Sequence, residues 1–383
     1  MKSKRFFKVL SWVLICIMLL GMVACSNGNQ TNNQSNNQTD NQTSIEKQDT
    51  NKSTTEKKLV IGSLVQPLDN PWVVNYVNFQ KQVAEALGIE LVVTSDKGTE
   101  DSNVQGMQSL LGKNPDGIVF DPITKAAGTR NAALLEQFKV PAFTADRLVV
   151  NDINEYTGEY LIGQATFSNV DWGYQMMNAL IDQGAKKVAA ILDPKGVLTV
   201  EEAWTGATKA LEENPDVELI AEQWQQKSRE NAIQTTQRYL TRFNSGEIDG
   251  IMAFGSTVGL GSLYAIQQAG RDDEIIVSTS DDDPNVIDAI LNEELSSTLG
   301  AHWMIGGFGL ILMYDYLHGY EPLENQPRFE LFKIDKSNAE QYSNRFLEGE
   351  PFSAEEIRQM SQVHNKDANL PEIMRTLKNT WNN

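Results

Sequence analysis

From Leu59 onward the chain alternates between two textures. One is the short unbroken apolar run, such as "LVIGSLV" at 59–65. The other is a longer stretch in which apolar residues return every third or fourth position. In "PWVVNYVNFQKQVAEALG", Val73, Tyr76, Phe79, Val83 and Leu87 fall on one helical face, and Gly88 stands where a helix C-cap belongs. The runs predict strands at 59–64, 90–94, 117–120, 141–145, 187–192, 217–223, 249–253, 275–279 and 297–301, with helices between most of them. A strand with one wet face alternates apolar and polar residues, whereas these runs are continuous. That marks parallel sheets covered on both faces, and strand–helix alternation makes the class α/β.

The rhythm breaks at 150–168, "VNDINEYTGEYLIGQATFS", and again near 300. Two similar doubly wound lobes are expected, with crossovers at those two places. The stretch 327–383 is charged and less regular, with a strand at 329–334, and is expected to pack on the second lobe. The expected limits are 58–167 plus 302–326 for the first lobe and 168–301 plus 327–383 for the second.

Ahead of the lobes the texture differs. Residues 26–58 hold one apolar residue, Ile45, in an Asn/Gln/Ser/Thr tract that cannot bury enough surface to fold. Before it, "MKSKRFFK" is basic and 9–24 is apolar, short of the ~20 residues that span a bilayer. A basic start, an apolar middle and small Ala24 describe an export signal over 1–24. Cys25 follows, and Leu20-Gly21-Met22-Val23-Ala24-Cys25 resembles a bacterial lipoprotein signal in which the Cys is lipidated. Residues 25–57 would then tether the lobes to the outer side of the cell membrane. An uncleaved anchor and plain secretion are the alternatives.

The net charge of −19 makes a polyanion such as nucleic acid an unexpected partner. Of two cysteines, Cys16 lies in the expected signal, which leaves no intrachain disulfide and no second thiol for catalysis. His302, His318 and His364 have no acid or Cys at metal-ligand spacing, and phosphate-loop and nucleophile-elbow motifs are absent. No cofactor and no metal are expected. "MIGGFG", 304–309, lacks dinucleotide spacing and suits close helix packing.

In open parallel sheets ligands bind beyond the carboxyl ends of the strands. Asn70 and Trp72 follow the first predicted strand, Asp146 and Arg147 the fourth, Asp281 the 275–279 strand, and His302-Trp303 the 297–301 strand. Trp204 lies in the helix after 187–192. Carboxylates accept from adjacent hydroxyls, guanidinium donates as a planar fork, and indole offers a flat face to C–H groups. Rim groups plus stacking plates suit a sugar. Each residue also has a structural alternative. Asp146-Arg147 makes an ordinary loop ion pair, Asn70-Pro71 a helix start, and each Trp a core aromatic. Asp283 would cap the helix begun by Pro284.

Together these segments resemble the ribose/galactose-type periplasmic sugar-binding proteins of ABC importers, the type I periplasmic binding proteins in lipoprotein form. The resemblance covers roughly 57–330. It rests on "IGSLVQPLDNPWVVNYVNFQKQVAEALGIELVV", "DGIVFDPITKAAGTRNAALLEQFKVPAFTADR", Asn169 and Gly173 in "SNVDWG", "GSLYAIQQAG" and "STSDDDP". It implies two lobes joined by three crossovers and one ligand in the cleft. Asn70, Trp72, Asp146, Arg147 and Asp281 match the family's sugar-contacting positions. The second lobe departs: the family's Arg falls near Ala203, beside Trp204; its Asn-Asp reads Gly255-Ser256; its late Gln falls near Ala301, beside His302-Trp303. The candidate ligand residues are thus Asn70, Trp72, Asp146, Arg147, Trp204, Ser256, Asp281 and Trp303. The expectation is a monomeric, non-enzymatic, extracytoplasmic receptor delivering a sugar to an ABC permease. A sensor acting on a membrane histidine kinase, and a glycosidase using Asp146 and Asp281, stay open.

Overall fold

The computed structural model describes residues 58–382. The expected export signal and tether, with Cys25, lie outside the described residues. In the first lobe, strands β1 (Val60–Val65), β2 (Glu90–Ser95), β3 (Gly117–Phe120), β4 (Ala142–Ala145) and β5 (Leu161–Phe167) alternate with helices α1 (Pro71–Leu87), α2 (Glu100–Leu111) and α3 (Lys125–Phe138). The second lobe has β6 (Lys187–Leu192), β7 (Glu218–Trp224), β8 (Gly250–Ala253), β9 (Ile276–Thr279) and β10 (Ser297–Gly300). Its helices are α4 (Asn169–Ile181), α5 (Leu198–Glu213), α6 (Arg229–Arg242), α7 (Ser256–Gln268) and α8 (Pro284–Leu291). The parallel orders are β5-β4-β3-β1-β2 and β10-β9-β8-β6-β7, so β4 corresponds to β9 and β5 to β10. The two doubly wound lobes expected from sequence are present.

Strands β3, β4 and β8 are buried at every position, as continuous apolar runs require. On α1, Val73, Tyr76, Phe79, Val83 and Leu87 are all buried, and Gly88 closes the helix at φ 72°. A glycine avoids the steric cost of that left-handed turn. Helix α9 (Ile305–Leu317) carries the chain back to the first lobe. A Cβ at Gly306 would lie 2.7 Å from the Tyr76 ring and one at Gly307 2.3 Å from Phe79, so these glycines let α9 close on α1.

Two expectations need correction. Residues 161–167 are not merely connecting chain; they form β5, which pairs with β4. Gln164 and Thr166 interrupt its apolar pattern, yet both are buried. Gln164 accepts the Val149 N–H at 2.6 Å. The single strand expected at 329–334 is two: β11 (Arg328–Phe329) pairs with β5, and β12 (Phe332–Asp335) pairs antiparallel with β10. The chain crosses between sheets at Glu330-Leu331.

The tail beyond β12, expected on the second lobe, packs there and touches the first lobe as well. On the second, Trp381 stacks on Phe332 at 5.5 Å, and the hydroxyl of Tyr342 in α10 (Ala339–Tyr342) donates to Asp282. On the first, Phe352 meets the Phe79 ring at 5.6 Å. Arg358 in α11 (Ala354–Gln359) reaches the Ala86 carbonyl at 3.3 Å. Helix α12 (Leu370–Thr376) packs beside β11, with the Glu330 N–H bonded to the Met374 carbonyl. One aromatic cluster spans this tail and both lobes, and irregular aromatic spacing gives no sequence signal for that.

Candidate functional site

The carboxyl ends of both sheets carry the charged groups. After β4, Asp146 adopts φ 106°; after β9, Asp281 adopts φ 73°. Such backbone is costly for a residue with a side chain and persists only where surroundings enforce it. The enforcement is the same in both lobes. The Asp146 N–H donates to the Ala165 carbonyl at 3.1 Å, and its carbonyl accepts from Thr166 Oγ1 at 2.8 Å. The Asp281 N–H donates to the Leu299 carbonyl at 2.9 Å, and its carbonyl accepts from Thr298 Oγ1 at 2.5 Å. A threonine on the neighbouring strand, β5 or β10, pins each aspartate.

In the first lobe Arg147 Nη1 donates to both oxygens of Asp121, at 3.1 and 3.0 Å, and lies 3.7 Å from Asp146. Gln66, at the end of β1, donates to Asp121 at 2.6 Å. Behind them Asn103 bonds Asp96 and the Asp121 carbonyl. One guanidinium therefore serves two carboxylates. Burial and the Asp121 charge push the Asp146 carboxyl up to about 7, with Arg147 opposing. Burial also raises Asp121, against Arg147 and Gln66.

In the second lobe Asp281 accepts the Ser256 N–H at 3.2 Å, at the head of α7. Lys227 Nζ lies 3.7 Å away and His302 Nε2 3.6 Å away. Burial pushes Asp281 up, but Lys227, His302 and the Ser256 N–H outweigh it and hold the carboxyl below its usual value. Asp193, at the end of β6, is raised by burial and by Asp281, against Lys227.

Between the lobes stands an aromatic group. His302, in a single turn of 3-10 helix between β10 and α9, is 7% exposed. Trp72, from the head of α1, stacks on it at 5.4 Å with 20° between planes. Trp172 of α4 lies 5.8 Å from it and 5.0 Å from Phe254. Trp72 Nε1, Trp172 Nε1, His302 Nδ1 and Asp193 Oδ1 are buried, with no hydrogen-bond partner among the described residues. Buried polar atoms in that condition are rare in native proteins.

The structure brings Trp72, Ser256 and Asp281 together around His302, and sets Asp146 and Arg147 at the matching edge of the first sheet. Asn70 caps α1, accepting the Trp72 N–H at 3.0 Å, and so fixes where Trp72 starts. One expectation does not hold as stated. Trp303 is a core residue: its Nε1 donates to Asp282 at 2.8 Å and its ring meets Phe79 edge-on at 5.9 Å. The indole follows the 3-10 turn inward, where Asp282 also accepts the Ala301 N–H. Trp204 packs edge-on against Trp224, at the end of β7, at 6.1 Å. Ala203, near which a second-lobe Arg was expected, is fully buried, and a Cβ on Gly173 would lie 1.7 Å from its carbonyl oxygen. That position serves the α4–α5 crossing instead. Asp283 caps α8 as expected.

Sequence reasoning left Asp121, Asp193, Lys227 and Trp172 off the list of candidates, and it placed His302 at a strand end without choosing it as a ligand residue. Asp121 and Asp193 follow apolar strands directly, so the strand-end rule that selected Asp146 reaches them too. Lys227 and Trp172 carry no such signal. Among the described residues no cluster of His, Cys, Asp and Glu forms a metal site, and no helix is long and apolar enough to cross a membrane.

Comparisons with known proteins agree with this architecture. The D-allose-binding periplasmic protein of Escherichia coli is 25% identical over 276 residues, spanning 70% of this chain and 88% of that one. The ribose import binding protein of Bacillus subtilis is 20% identical, over 70% of this chain and 85% of that one. Among solved structures, a periplasmic solute-binding protein of Actinobacillus succinogenes with bound D-allose superposes at a TM-score of 0.67. It is 21% identical, over 74% of this chain and all of that one. The periplasmic ribose ABC transporter protein of Conexibacter woesei gives 0.68 at 18% identity, over 78% and 97%. Residues 61–321 match the periplasmic binding protein domain family throughout, and the chain belongs to that family.

Proposed function

We propose that this protein is an extracytoplasmic receptor that captures a small sugar between its lobes and delivers it to an ABC permease, held at the membrane by lipid on Cys25. The observation that carries the reading is the mirrored pair Asp146 and Asp281, each held at positive φ by a neighbouring-strand threonine. Strain of this kind, repeated at equivalent places in two lobes, fits preorganised acceptors for hydroxyl groups. Trp72 on His302 supplies the stacking plate. Relatives named for binding allose and ribose support the same ligand class. Asn70, Arg147 and Ser256 act mainly by positioning Trp72, Asp121 and Asp281.

Binding alone suffices for this task. A micromolar sugar is held by about −8 kcal/mol, near −0.7 per heavy atom for a hexose, within reach of a small polar ligand. Closure of the lobes over the ligand provides the docking signal. A thermal-shift screen against neutral sugars tests it: a ligand at 100 times its dissociation constant adds about 2.7 kcal/mol. A flat response across pentoses, hexoses and inositols defeats the sugar reading. Uptake of the hit sugar should stop when the gene is deleted; undiminished uptake favours the sensor role. Cys25→Ala should move the protein from the membrane fraction to the medium.

A further inference from the structure

The two lobes reach similar chemistry from different loops. In the first, Asp121, Arg147 and Asp146 come from the ends of β3 and β4. In the second, Asp281 follows β9, but its cation is Lys227, from the loop after β7, and the second carboxylate is Asp193, after β6. Each lobe thus sets one cation beside its central aspartate, Arg147 in the first and Lys227 in the second, and Lys227 also bears electrostatically on Asp193. In each, one acid is well supplied with donors: Asp121 by Arg147 and Gln66, Asp281 by the Ser256 N–H and Lys227. The other acid is not. Asp193 Oδ1 is buried with no partner among the described residues, and Asp146 has Arg147 only at 3.7 Å.

Resting on the sugar reading above, we propose that Asp193 and Lys227 form the second half of the ligand grip, and that the cleft takes a donor-rich, non-anionic polyol between Asp146 and Asp193 while rejecting uronic acids and sugar phosphates. At the two strand-end groups Asp121, Asp146, Asp193 and Asp281 outnumber Arg147 and Lys227, so an added anion finds no spare cation there. Hydroxyl or ammonium groups supply what the two under-donated acids lack. In the aromatic group between the lobes, His302 Nδ1 and the indole N–H groups of Trp72 and Trp172 are likewise buried without partners among the described residues, and the hydroxyls of a polyol can serve them as well. Lys227 also lies against Gly255: a Cβ there would be 2.4 Å from its Nζ, so the glycine gives the ammonium its path to Asp281.

The test uses the intact protein, Asp193→Asn and Lys227→Gln. Titration calorimetry and thermal shift are run with D-ribose, D-allose, D-xylose, L-arabinose, D-galactose and myo-inositol. The best-binding sugar is then compared with its uronic acid and its phosphate ester. The wild type should prefer the neutral sugar over either anion by at least about a hundredfold. Asp193→Asn should weaken the neutral sugar at least about tenfold and shrink the preference; Lys227→Gln should weaken it while widening the preference. Opposite movements of that ratio separate ligand contact from mere support, and ligand-free melting curves confirm that both variants fold. Lys227, exposed at the rim, provides a readout even if Asp193→Asn fails to fold. A uronic acid bound as tightly as the neutral sugar, or a neutral-sugar affinity unchanged in Lys227→Gln or in a folded Asp193→Asn, overturns the inference while leaving the sugar reading intact. A panel with no hit overturns both.

Discussion

The two lobes solve one problem with different parts. Both place an aspartate at the end of the fourth parallel strand of a sheet, at positive φ, with a threonine on the next strand holding its carbonyl. There the likeness stops. The first lobe surrounds its acids with a buried network through Gln66, Asn103 and Asn131. The second leaves Lys227 half in solvent and fills the space toward α4 with Trp172 and Phe254. Backbone geometry is thus the shared element, and the side chains that balance its charge are exchangeable. A fold that presents strand ends in a fixed frame can change partners loop by loop without moving the central acceptor.

The strongest way to break this comparison acts on the second lobe's frame. Gly173→Ala drives a Cβ into the Ala203 carbonyl and should cost about 3 kcal/mol or more. A melting midpoint within error of wild type would mean that the α4–α5 contact is slack.

Next in size is Asp146→Asn, expected to weaken sugar binding about a hundredfold by calorimetry. The same variant has a pH signature. The Asp146 carboxyl is raised to about 7 in the folded protein, by burial and by Asp121 against Arg147. The unfolded chain titrates near 3.9, so the native state favours the protonated form. The resulting stability is fully present below about pH 4 and is lost as pH rises through about 7. Asn escapes that loss. The melting midpoint of Asp146→Asn relative to wild type should therefore climb between pH 4 and pH 8; a constant difference would show that the carboxylate is stabilised as fully as in water.

The smallest effect sharpens the contrast between two indoles. Trp72→Ala should weaken binding about tenfold with a small change in melting. Trp303→Phe should do the reverse, lowering the melting midpoint because Asp282 loses a donor while affinity stays within about threefold. Equal effects on affinity would place both rings, or neither, against the sugar.

Much of the fold was readable because parallel strands need continuous apolar runs and helices need a 3.6-residue stripe. β5 escaped because Gly163, Gln164 and Thr166 answer to neighbours far along the chain: a Cβ at Gly163 would meet the Asn325 carbonyl oxygen at 2.6 Å. The tail's contact with the first lobe escaped because aromatic clustering has no period. At the site, Asp146 and Asp281 were visible as acids ending apolar runs. Trp303 was misread because two adjacent residues after β10 point opposite ways: His302 faces Asp281 and Trp303 the core. Alternation of that kind depends on the positive φ of Ala301, which no residue type announces.

Asp282 is the neighbour of Asp281, yet it binds the hinge and, through Tyr342, the tail. The tail from Tyr342 onward is therefore mechanically in series with the acceptor at the mouth of the second sheet. A bulky fusion on the carboxyl terminus would tug on that linkage, whereas a dye placed near Tyr342 would report occupancy from outside the gap. For anyone turning this scaffold into a biosensor, the terminus is a poor handle and a good antenna.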